Sequence, residues 1–125
     1  MNVTEIIHRY ASLDPRSIDQ TRVESLLDIG SSILFVLAVW SGPSIAAFKR
    51  LTEHLAILST RPRLLVCDID ELPDEMRISL GHLHGVGETF WVHDGNILAS
   101  LTDYKRDDWS EIVSRYCDHL LQKQS

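Results

Sequence analysis

The chain has 125 residues, 44% hydrophobic and 24% charged, and 18 acidic against 12 basic side chains leave a formal charge of −6. A chain of this length makes one compact domain whose core needs no metal or disulfide staple, and a composition rich in leucine and isoleucine excludes a collagenous or mainly disordered polypeptide. The acidic balance, without any Lys/Arg block, argues against nucleic acid or an anionic membrane as the main partner.

The first nine residues lack a basic stretch leading into an apolar run, and the longest apolar run, residues 33–40, is too short to span a bilayer. Neither a signal peptide nor a membrane anchor is expected. Two cysteines, Cys67 and Cys117, are too few and too far apart for a disulfide framework or a zinc site. Reduced thiols in a cytoplasmic setting are the expectation.

No internal repeat, low-complexity tract or long linker divides the chain, so residues 1–125 read as a single domain. Val3, Ile6, Ile7 and Tyr10 stand at helical spacing ahead of a break at Asp14-Pro15, which predicts a short amphipathic helix. A second helix is predicted after Asp19, carrying Val23, Leu26, Leu27 and Ile29 and stopping at Gly30. Residues 33–39 form a continuous apolar, β-rich run, the pattern of a central strand covered on both faces. Beyond Trp40, Phe48, Leu51, Leu55 and Leu58 recur at helical spacing, with Ser41 placed to cap the helix and Pro43 in its first turn.

A second apolar strand, Leu64 to Cys67 with Ile69, runs into the acidic stretch Asp68, Asp70, Glu71, Asp74 and Glu75. A parallel crossover is implied. A short helix over residues 73–80 and an irregular segment to Gly87 follow, and then two strands, 89–92 and 97–101, around the hairpin signal Asp94-Gly95. Trp109, Ile112, Val113, Tyr116, Cys117 and Leu120 share one face of a final helix over residues 106–121, and Asp103, Asp107 and Asp108 suit its positive end.

Trp40-Ser41-Gly42-Pro43-Ser44 after a central strand, Ile69-Asp70-Glu71-Leu72-Pro73 at the end of the next, and Asp94-Gly95 ahead of an amphipathic helix come in an order that resembles the thioredoxin family. The resemblance covers residues 21–121. It implies an α/β, thioredoxin-like domain: a central mixed sheet of about four strands flanked by helices, with residues 1–20 as an N-terminal helical extension.

In the family, the segment after the tryptophan reads Cys-Gly-Pro-Cys; here Ser41 and Ser44 stand at both cysteine positions. Disulfide exchange needs a thiolate to attack and a second thiol to resolve, and a hydroxyl supplies neither. The family's buried aspartate falls at Phe35 and its partner lysine at Val66, and the loop proline falls at Gly87 or, with a shift, at Glu88. Since an engineered Cys-to-Ser trap would keep these supporting residues, their joint loss reads as natural divergence.

The resemblance implies a redox-inactive protein, not an enzyme, that binds another protein as an adaptor, chaperone-like or immunity-type factor. The expected binding face is the vestigial active site, Trp40, Ser41, Gly42, Pro43 and Ser44 with the loop Val86, Gly87 and Glu88. The alternatives are a thiol redox protein using Cys67 or Cys117, and a structural homodimer built through the first helix or a sheet edge.

Other constellations have plainer readings. No base stands beside Ser41 to make it a nucleophile, so it is expected to cap its helix. His82, His84 and His93 lack a cysteine or a spaced carboxylate pair and read as solvated loop residues, with no metal or other cofactor implied. Cys67 and Cys117 are expected as buried free thiols, in contact if the last helix packs over the strand of Cys67. The stripe of the first helix must be covered, by its own domain or by a second copy.

Overall fold

The computed structural model describes residues 1–124. A mixed sheet of five strands, in the order β1-β3-β2-β4-β5, forms the middle layer. Its centre is β2 (Ser32–Leu37), the predicted apolar run, with every residue buried. Alternate residues of β2 feed opposite faces: Ile33, Phe35 and Leu37 enter one core with Phe48, Leu51, Trp91 and Val113, while Leu34 and Val36 enter the other with Met76 and Phe90. Two covered faces explain why the run reads as unbroken hydrophobicity.

α2 (Gly42–Ile57) follows β2 and leads to β3 (Arg63–Asp68), which pairs parallel to β2 with Phe35 opposite Val66. The short α3 (Asp74–Leu80) covers the second face. β4 (Thr89–His93) and β5 (Asn96–Leu101) form the predicted hairpin, and Asp94 and Gly95 at its tip both take positive φ, as a type I′ turn requires. α4 (Trp109–Gln124) starts later than predicted, after a turn closed by an Arg106–Asp108 ion pair.

α1 (Val3–Tyr10), capped by the Asn2 side chain, packs its stripe within its own domain: Ile6 and Ile7 are fully buried in the core shared with Leu51, Leu55 and Leu64. Each such burial contributes about 2 kcal/mol, while Val3 and Tyr10 at the ends of the stripe are half-buried.

Two expectations are corrected. The second helix, predicted to start after Asp19, is replaced by a 3-10 turn over Leu26–Ile29, and residues 1–20, expected as a helical extension, end in a two-residue edge strand of the sheet, β1 (Ile18–Asp19), parallel to Leu64 and Leu65 of β3. The buried residues there, Val23, Leu26 and Ile29, all enter the α3-side core, and a spacing of three is met by an α-helix and by a 3-10 turn alike. β1 is also what brings the sheet to five strands instead of about four. Second, Cys67 and Cys117 do not meet: Cys67 packs against the α3-side core, while Cys117 lies in the other core, beneath Trp91, whose Nε1 donates to its Sγ over 3.5 Å. Strand alternation decides this, because Val66 takes the inward position on the α4 side.

Candidate functional site

The sheet brings the ends of β2, β3 and β5 and the start of β4 to one end of the molecule. That end, beyond the carboxyl ends of parallel strands, is where open α/β sheets place their sites. There the chain turns sharply, Ser41 N–H donating to Ala38 O, and Trp40 stands at the tip with 64% of its surface exposed. Its indole lies over Gly85, where a Cβ would come within 2.7 Å of the ring, and its Nε1 donates to Asp70 Oδ2 over 2.9 Å. Trp40 is therefore exposed but oriented.

Both serine hydroxyls are buried and engaged. Ser41 Oγ caps α2 by accepting from Ser44 N–H and donates to Gly85 O over 2.6 Å. Ser44 Oγ accepts the N–H of Ala38 over 2.9 Å, satisfying the backbone where β2 ends. Beneath them the Phe35 ring packs on Phe48, 5.5 Å between centroids.

The loop before β4 is seated by its small residues and by one carboxylate. Gly87, with φ +88°, lies so close to α2 that a Cβ would sit 2.4 Å from that of Ala47 and 3.2 Å from Phe35 Cζ. Glu88 is 1% exposed; its carboxylate accepts the N–H groups of His84 and Val86, and its carbonyl accepts Val36 N–H over 2.9 Å. Thr89 Oγ1 donates to Gly87 O and meets the buried hydroxyl of Tyr104.

The structure thus divides the eight residues assigned to the face. Trp40, Gly42 and Pro43 are exposed and Val86 is half-buried, whereas Ser41, Ser44, Gly87 and Glu88 are buried and shape the face from below. Glu88 in particular is a strap for the loop and not a contact residue.

A groove of about 400 Å³ opens at the start of α2, lined by Gly42, Pro43, Ala46 and Arg50 of α2, by Val86 and by the 102–105 segment after β5. Arg50, Tyr104 and Lys105 escaped the sequence reading. Arg50 was accessible in principle, since Gly42, Ala46 and Arg50 recur every fourth residue along one helical stripe. Tyr104 and Lys105 reach the groove only through the hairpin. Arg50 donates to Tyr104 O and lies over the Trp109 ring, 5.9 Å from its centroid.

The remaining candidates lie elsewhere. Cys67 lines a second cavity of about 300 Å³ between the start of α1 and the end of β3; burial, with Asp68 beside it, pushes its thiol up to about 12. Burial likewise pushes Cys117 up to about 11. His82 and His84 are exposed and stack on each other. His93, at the opposite end of the sheet, sits between Ser31 Oγ and Asp94 Oδ2, and neither cavity touches it. Among the described residues no helix is long and apolar enough to cross a membrane.

No protein-family model matches the chain, and no curated protein matches it. Among solved structures it is similar to a mutant thioredoxin from Halobacterium salinarum NRC-1, with a TM-score of 0.57 and 18% identity over 86% of this chain and 96% of that one. At this identity the likeness carries the architecture alone, and on that architecture the chain has a thioredoxin-like fold.

Proposed function

We propose that this protein is a redox-inactive, non-enzymatic binding module that holds an extended segment of another protein on its Trp40 face, as an adaptor, chaperone-like or immunity-type factor. The observation that carries this reading is the use made of the two serines. Each hydroxyl is a buried hydrogen-bond partner, to Gly85 O and from Ala38 N, so the positions that would carry thiols in an active thioredoxin act as fasteners here. Next to them stand an exposed, oriented tryptophan and an open groove, the combination of an aromatic anchor and a pocket that binding surfaces use.

Thiol chemistry at Cys67 or Cys117 is the second reading, favoured by the place of Cys67 in a cavity but opposed by the raised pKa of both thiols. The cytoplasm, where thiols stay reduced, is the compartment the binding-module reading assigns.

Two experiments test it. Capture from a native lysate should retain a partner that Trp40→Ala with Val86→Asp loses; a partner retained by that variant places binding elsewhere. Insulin reduction with dithiothreitol should run at the uncatalysed rate, and turnover well above it would sink the non-enzymatic reading.

A further inference from the structure

The face is electrically lopsided, and the sheet order explains how. On the β3 side, Asp68, Asp70, Glu71, Asp74 and Glu75 fall within one short segment, and among the described residues none of them is in an ion pair. Asp14, Asp19, Glu24 and Asp108, in contrast, each pair with an arginine. Arg77, the cation nearest in sequence, donates instead to the carbonyls of Ile69 and Leu72. Asp70 touches Trp40 itself.

On the β5 side the groove has the opposite sign. Its apolar wall is Pro43, Ala46 and Val86, and its rim carries Arg50 and Lys105. Asp103 also lines it, its Oδ1 accepting the N–H of Lys105, and its carboxylate offsets one of the two cations, so the lining carries a net charge of about +1. Arg50 stands two helical turns beyond Gly42, about 12 Å along α2. Its guanidinium is held in place by Tyr104 O and the Trp109 ring, which leaves other N–H groups free to donate without the cost of ordering a loose side chain. In a chain of charge −6 a groove with two cations against one carboxylate is a local reversal of sign.

We propose that the groove takes an extended protein segment of mixed charge: an apolar side chain against Pro43, Ala46 and Val86, an acidic residue reaching Arg50 and Lys105, and a basic residue passing Trp40 toward Asp70. The proposal rests on the protein-binding reading above and adds the chemistry of the partner. A cation beside Trp40 gains from the indole face as well as from Asp70, and opposed charges at the two ends discriminate more than they tighten.

The test uses short fluorescein-labelled peptides that share a Leu-Leu centre: one basic at one end and acidic at the other, one basic at both ends, one acidic at both, and one with serine at both. Anisotropy at low ionic strength should show the mixed-charge peptide binding about fivefold tighter than any other, the scale of two exposed ion pairs. Arg50→Glu with Lys105→Glu should turn the preference to the peptide basic at both ends. Lys105→Glu alone, which keeps the Arg50 contacts, should do so in part and guards against misfolding of the double variant.

Equal binding of the mixed-charge and serine peptides, lost in Trp40→Ala with Val86→Asp, would overturn the charge assignment and leave the binding face standing. Tightest binding of the doubly basic peptide to the unaltered protein would overturn it too. If no peptide binds, the assignment also fails, and lysate capture that is insensitive to Trp40→Ala with Val86→Asp would then remove the binding face with it.

Discussion

Replacing Gly87 by alanine tests the contact that seats the loop of Val86 on α2. The backbone there has φ +88°, which costs a residue with a Cβ about 1–2 kcal/mol. The new methyl would stand 2.4 Å from Ala47 Cβ, a separation that neither backbone can relieve without moving, and overpacking of this kind costs about 1–3 kcal/mol. The two together predict a loss of about 2–5 kcal/mol. In urea, for a domain of this size, the unfolding midpoint should fall by about 2 M, read by tryptophan fluorescence. Ala47→Gly alone costs about 1 kcal/mol or more as a helix-interior glycine, but it removes the obstacle. The double variant should therefore be more stable than the sum of the two losses predicts, by about 1–3 kcal/mol. A cost below about 1 kcal/mol for Gly87→Ala, additive with Ala47→Gly, would mean that the loop does not rest on α2 and that Val86 does not line the groove.

Trp40→Ala should cost about 1–2 kcal/mol, since the residue is 64% exposed but rests on Gly85 and donates to Asp70, and a urea midpoint that stays well above zero lets a loss of binding report on the face and not on folding. Ser44→Ala should cost about 1–3 kcal/mol in the same urea assay, because the Ala38 N–H is left buried without an acceptor; a neutral substitution would refute the fastener role. With its thiol raised to about 11, Cys117 holds about 0.1% thiolate at pH 8, against about 10% at the ordinary value, and should react with a disulfide reagent about a hundredfold slower in the native protein than in urea. Comparable rates would show the thiol to be accessible. Asp19 is held down to about 2 by the Thr21 N–H and by Arg63, so its contribution to stability is present above about pH 4 and is lost as pH falls through 2. Asp19→Asn should flatten the acid limb of the stability profile in that window, and an unchanged limb would assign acid sensitivity to other groups.

Much of the fold is legible locally. The run of β2, the cap at Ser41 and the hairpin at Asp94-Gly95 each state in a few residues which groups are buried and where the chain must turn. The sequence Trp40 to Ser44 marks the end of the molecule where the candidate site lies, with serine on either side of Gly42-Pro43.

Tertiary structure decided the rest, because burial patterns say that a residue is covered without saying by what. Ile18 and Asp19 become a strand only because the edge of β3 offers unpaired backbone groups. Val23, Leu26 and Ile29 fit a helix or a 3-10 turn equally well until the core they enter is known. Which face of β3 Cys67 takes depends on the register with β2, and that alone parts it from Cys117. Glu88, charged and therefore read as a surface residue, is buried because two N–H groups of its own loop satisfy its carboxylate. The groove itself joins Gly42 to Lys105 across the sheet, a juxtaposition that depends on strand order and that no local pattern of side chains encodes.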